Sequence, residues 1–353
     1  MQLLHLPVET LGQIFNYIGA SFFQEDITRL TVSKQWFEFT RLTCHQHVTF
    51  SRDKLHRFIS STMARRPDVF RDSLEALVLD FGIHQAAANA ICSDEPVERK
   101  KFHSTTELGS TGVEIYNHRQ KRLENDLEIL VPLIQQAQKL RFLRIETYGS
   151  PKPDPFEGPE ECLTWHPIQA LLSAEHLTSL VIDLPGGVLA RSGYRDNSRH
   201  VCLHIGSLLH KLQYLRLRMR TICPHALTPR DATENLRLKR VIVNLSLKMD
   251  VLGVTLATHS KRCGSFGRGG FLKDKAELLE QAGALGARMA SPKFLRILTH
   301  APVTLETQSL DVLTGKTMIL EDTMRWDEDG KPMEEESSSE SEASDDDSFF
   351  DSE

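Results

Sequence analysis

The chain has 353 residues, 40% of them apolar, and a net charge of −6. No apolar run reaches the roughly 18 residues of a membrane span, and no basic stretch followed by an apolar core marks a secretory leader, so neither is expected. Residues 327 to 353 hold 13 acids and one Lys, a charge of −12, which leaves a mildly basic body of +6.

The first elements are helical. Pro7 suits a first helical position, where its missing N–H costs nothing, and Glu9 suits the positive end of the same helix. Leu11, Ile14, Phe15 and Ile18 recur at i, i+3, i+4, i+7, one apolar face. Residues 19–26 read as a link with exposed Phe22 and Phe23. A second short helix is expected over Ile27 to Val32, and Ser33 caps a third that carries Trp36, Phe37 and Phe39. Forty such residues bury too little surface to fold alone, so their apolar surplus must be covered by the rest of the chain or by another protein.

The pattern Leu6-Pro7-x-Glu9-x-Leu11-x-x-Ile14-Phe15-x-x-Ile18, followed by Arg29-Leu30-x-Val32-Ser33-Lys34-x-Trp36, resembles the F-box. The resemblance implies a three-helix module over residues 3–42 that docks on a Skp-family adaptor and, through it, a cullin-type ubiquitin ligase. It assigns adaptor contacts to Leu6, Pro7, Leu11, Ile14, Leu30, Val32 and Trp36. Two departures stand out: the longer link between the first two helices, and Ser33 where many F-boxes carry Cys. The bland alternative is a helical cap on a larger domain.

Beyond residue 43, Val48-Thr49-Phe50 reads as a strand, and Ser51 caps a helix running to Arg65. The phrase L-x-x-L-x-L begins at Leu74 and returns at Leu140, Leu177, Leu212 and, as Leu-Lys-Arg-Val-Ile-Val, at Leu238; Phe294 starts a weaker copy. Helical segments over 123–138, 166–174 and 201–211 lie between copies. Strand and helix in alternation suggest an irregular leucine-rich-repeat-like solenoid over 43–326. A generic α/β domain with coincidental leucines is the alternative. Polar residues 86–119 and the basic stretch 249–270 are expected as flexible insertions, 271–290 as a long helix, and short strands near 295–298 and 316–320. The fold class is therefore α/β, with a disordered acidic tail over 327–353. Ser337, Ser339, Ser344 and Ser348 each have an acid three residues on, which suits an acid-directed kinase.

No catalytic motif emerges. Gly315-Lys316-Thr317 lacks the first glycine of a phosphate-binding loop, since 310 is Leu. Cys44-His45-x-His47, His200-x-Cys202-x-His204 and Cys223-x-His225 hint at metal, but none has the paired C-x-x-C spacing of zinc sites, so no metal and no cofactor is expected. Six scattered cysteines (44, 92, 162, 202, 223, 263) are expected as reduced thiols in the cytosol or nucleus. On the repeat strands the leucines face the core and alternate positions face out. That places Arg144, Arg216, Arg218 and Arg220 outward, with Arg240 and Lys248 extending the row. The bland reading is a solvated face; the sharper one is a surface for an acidic or phosphorylated protein substrate, which the chain's own tail competes for. The expectation is a non-enzymatic substrate receptor of a Skp–cullin–F-box ligase, with an interaction scaffold as the alternative. No membrane or nucleic-acid partner is expected.

Overall fold

Seven parallel strands laid down in chain order frame the molecule. The computed structural model describes residues 6–61, 68–81, 108–147, 162–185, 188–190, 200–231, 235–247, 259–263, 270–301, 306–321 and 324–333. The strands are β1 (His47–Ser51), β2 (Ala76–Asp80), β3 (Phe142–Glu146), β5 (Ser179–Leu184), β7 (Tyr214–Met219), β8 (Arg240–Asn244) and β9 (Phe294–His300). Each pairs with the next in parallel. Three antiparallel strands close the sheet: β10 (Thr307–Asp311), β11 (Thr317–Leu320) and β12 (Lys331–Pro332). Two short strands, β4 (Cys162–Thr164) and β6 (Val188–Ala190), pair separately.

The L-x-x-L-x-L phrases set the register. Leu77, Leu143, Leu180, Leu215, Val241 and Leu295 stand side by side across the sheet, as do Leu79, Ile145, Ile182, Leu217, Val243 and Ile297. All are buried. They share one continuous core with Leu127, Leu130 and Ile134 of α6 (Leu108–Gln135), Leu171 of α7 (Trp165–Leu172), Ile205 of α8 (Val201–Leu208), and Leu278 and Leu285 of α9 (Phe271–Gly286). Parallel strands need long crossovers, and here these helices supply them on the leucine face. A small cluster of Ile242, Leu298 and Leu320, flanked by Met324 and Trp326, lies apart from that core.

The N-terminal module differs from expectation. It holds α1 (Val8–Ile18), α2 (Ala20–Glu25), a 3-10 turn over Ile27–Leu30 and α3 (Lys34–Cys44). Pro7 is the N-cap rather than the first helical residue. The expected link over 19–26 is largely α2: Gly19 breaks the chain at φ 83, and Ala20 and Phe23, three apart, both turn inward. Phe23 is therefore buried, not exposed. Asp26 caps the 3-10 turn by accepting from Thr28 N–H at 3.0 Å, and this local bond takes the place of the expected α-helix to Val32.

Further boundaries move. Ser51 caps α4 (Arg52–Ser60), which stops short of Arg65, and a helix α5 (Asp68–Ser73) follows. Helix α6 begins at Leu108, inside the expected insertion 86–119; its remainder lies outside the described residues. Of the expected loop 249–270, residues 259–263 are held by backbone bonds: Ser260 N–H donates to Leu245 O and Lys261 N–H to Arg220 O, both at 2.8 Å. Composition puts the start of the disordered acidic tail at 327, yet 327–333 are folded and β12 pairs with β11. Residues 334–353, with the four serines, lie outside the described residues. Gly315, at φ 71, turns the β10–β11 hairpin, which is why Gly315-Lys316-Thr317 is no phosphate loop. Among the described residues no helix is long and apolar enough to cross a membrane.

Candidate functional site

Two surfaces carry the residues singled out by sequence. The first is the N-terminal module, which has a small core of its own: Leu11, Phe15, Phe23 and Leu30. Trp36 sets its ring edge-on to Phe15 at 4.8 Å and donates from Nε1 to Arg29 O at 2.7 Å. Ser33 caps α3 by accepting from Trp36 N–H at 3.1 Å, as its position implies. Of the seven assigned contact residues, Leu11 and Leu30 are buried inside the module. Leu6, Ile14 and Trp36 are half-buried, and Pro7 and Val32 are exposed, Val32 by 69%. Val8, Tyr17, Phe22, Phe37 and Leu42 are exposed beside them. Scattered apolar residues on a surface mean little, but this many on forty residues is a concentration. Phe22 is half screened by the Arg29 guanidinium, 4.2 Å from its ring centroid.

The second surface is the face of the sheet opposite the leucines. Val78, Arg144, Val181, Arg216, Ile242 and Arg296 form one row across it, and Asp80, Glu146, Asp183, Arg218, Asn244 and Leu298 the next. Arg144, Arg216 and Arg218 share this face, but Arg216 is buried on it and the face supplies its own acids. Arg144 pairs with Glu146 on the same strand. Arg218 donates from Nε and Nη2 to the two oxygens of Asp183, at 2.6 and 2.9 Å. Arg216 is buried, pairs with Asp327 at 3.1 Å and lies 3.7 Å from the Trp326 ring centroid. Burial pulls its pKa down, against the pull of Asp327. Arg220 is half-buried just past β7, and Arg240 is exposed beside Phe294; Lys248 lies outside the described residues. Sequence reasoning missed Glu146, Asp183, Trp326 and Asp327. A signal was present for the first two: Asp80, Glu146 and Asp183 each directly follow the sixth position of an L-x-x-L-x-L phrase.

The histidine and cysteine fragments sort differently. His45 turns its Nδ1 to Arg41 O at 2.7 Å, and burial lowers its pKa. His47 is exposed. By contrast, His200, Cys202, Cys223 and Cys263 converge, their ligand atoms within 4.8 Å of one another. Hydrogen bonds from Cys202 and Cys263 pull the Cys223 thiol down to about 2, whereas bonding to Cys223 and Cys263, with burial, pushes Cys202 well up. Cys263 has no spacing relation to the others in sequence, so only the fold reveals the group.

No protein-family model matches the chain, and a search of curated proteins found no match either.

Proposed function

We propose that the chain is the substrate-receptor subunit of a Skp–cullin–F-box ubiquitin ligase. The adaptor docks on residues 6–42, and a protein substrate is held by the repeat-like body. The observation that carries this reading is the N-terminal module itself. The residues of its F-box-like phrase divide between a private core (Leu11, Phe15, Leu30) and exposed positions (Pro7, Val32), and six large apolar side chains between Val8 and Leu42 remain exposed. A module with a core of its own and apolar side chains left in water suits a partner surface.

The body supports the second half of the reading. Parallel strands in chain order, with crossovers on one face, leave a long ladder of side chains on the other, the arrangement expected of leucine-rich-repeat-like recognition. The chain then does no bond chemistry; it raises the local concentration of a substrate lysine near activated ubiquitin. The inlaid pairs Arg144–Glu146 and Arg218–Asp183 make this face a patterned surface of both signs, suited to a substrate with polar groups of both kinds.

The test is affinity purification of the full chain from cells. Recovery of a Skp-family adaptor together with a cullin supports the ligase reading. An adaptor without a cullin favours the scaffold alternative, and neither partner overturns both.

A further inference from the structure

Three distant pieces of chain meet beside α8. His200 is the N-cap of α8, and Cys202 is its second residue. Cys223 is the N-cap of a 3-10 turn over Pro224–Leu227. Cys263 sits on the segment that pairs with the end of β7, where Ile222 N–H donates to Lys261 O at 2.9 Å and Thr221 bridges Lys261. Gly206 brings the first two pieces together: a Cβ there would press into the carbonyl oxygens of His225 and Thr228, so only glycine lets α8 lie this close to the 3-10 turn.

Two of the ligand-atom spacings match the edge of a metal tetrahedron, and all of the ligand atoms lie within 4.8 Å of one another. Zinc holds sulfur at about 2.3 Å, so two thiolates on one tetrahedral ion stand about 3.8 Å apart. Cys202 Sγ and Cys263 Sγ are 3.7 Å apart, and Cys223 Sγ is 3.7 Å from His200 Nε2. A disulfide needs about 2.05 Å, and all three cysteines are free. Cys202 and Cys223 are buried, while His200 and Cys263 are half-buried, which leaves one side open for entry. His225 Nδ1 lies 3.4 Å from Cys223 Sγ, a second-layer hydrogen-bond partner of the kind that orients a ligating sulfur.

We propose that His200, Cys202, Cys223 and Cys263 form a structural zinc site. Four protein ligands close the tetrahedron and leave no position for a reacting water, so the role is structural rather than catalytic. Zinc takes the sulfurs as thiolates, and the thiol protons go to solvent. Bound, it ties α8, the 3-10 turn and the 259–263 segment at one point. The inference does not depend on the proposed ligase role.

The experiment is metal analysis of the full chain, produced with zinc in the medium and purified under reducing conditions. About one zinc per chain is expected, lost in Cys202→Ser/Cys263→Ser and kept in Cys44→Ser, which lies outside the group. The double variant risks unfolding, so wild-type chain is also stripped and reloaded with Co²⁺. Intense visible bands with sulfur-to-metal charge transfer are expected from a tetrahedral thiolate site. Wild-type chain without zinc, zinc retained by the double variant, or the pale spectrum of oxygen-bound cobalt would each overturn the proposal.

Discussion

The Arg216 guanidinium lies over the indole of Trp326, 3.7 Å from the ring centroid, and the next residue, Asp327, pairs with it at 3.1 Å. A residue expected to greet a substrate is thus covered by the chain's own C-terminal segment. That segment also packs on Ile242, Leu298 and Leu320. Trp326→Ala should cost about 2 kcal/mol, from lost apolar burial and the cation–π contact, read as a lower urea midpoint. Truncation after 323 should lower that midpoint relative to truncation after 333. Equal midpoints for the two truncations would show that 324–333 contribute nothing.

Arg218 and Asp183 form a nearly buried bidentate pair. Asp183→Ala leaves a guanidinium without its partner and should cost about 3–5 kcal/mol. Replacing both, as Asp183→Leu/Arg218→Met, should recover most of that loss, because the desolvation cost of two charges disappears with them. Equal losses in the single and double variants would contradict this account.

Gly206→Ala should destabilise by about 1–3 kcal/mol, since the added methyl meets two carbonyl oxygens that cannot retreat. It should also weaken zinc retention against a chelator by parting Cys202 from Cys223. Gly283→Ala in α9, where nothing lies near the new methyl, serves as the comparison and should be neutral or slightly stabilising.

His259 should contribute to the acid limb of stability. Burial first, then the facing His300 and Lys275, lower its pKa from 6.5 to about 4. Its ring centroid is 4.0 Å from that of Phe271 and 5.6 Å from that of His300. The folded state therefore resists protonation while the unfolded chain accepts it. The stability that His259 contributes is present above pH 6.5 and should be lost as pH drops toward about 4. Half-buried His45, its pKa also lowered by burial, acts in the same sense. His259→Phe should shallow this decline in thermal midpoints taken across that range; an unchanged slope would remove His259 from the account.

Much of the frame was legible because leucine position alone fixes it. A period-two phrase with buried first, fourth and sixth positions yields parallel strands in one register, and Leu77, Leu143, Leu180 and Leu215 do line up. Boundaries were less legible where tertiary contacts override local pattern. Phe23 looks exposed in a polar link, but Phe15 offers it a T-shaped contact at 6.1 Å, and α2 forms. The acidic residues of 327–333 read as tail because charge density dominates composition, yet Trp326 and the β12 pairing anchor them. The Cys–His group was only half legible: His200-x-Cys202 and Cys223 show as separate fragments without zinc-site spacing, and Cys263 lies 40 residues beyond Cys223, where the pairing of 220–222 with 261 brings it to the others.

The central claim, adaptor docking through the N-terminal module, rests on the large apolar side chains exposed between Val8 and Leu42. Val32 is 69% exposed, so Val32→Asp should leave the thermal midpoint unchanged. The direct measurement is a calorimetric titration of a purified Skp-family adaptor into the full chain, wild type and Val32→Asp. Losing one valine-sized burial is worth about 1.5–3 kcal/mol, so binding by the variant should be weaker by roughly tenfold or more. Equal affinity for both chains, or no binding by wild type, would contradict the claim and leave residues 6–42 as a helical cap on the α/β body.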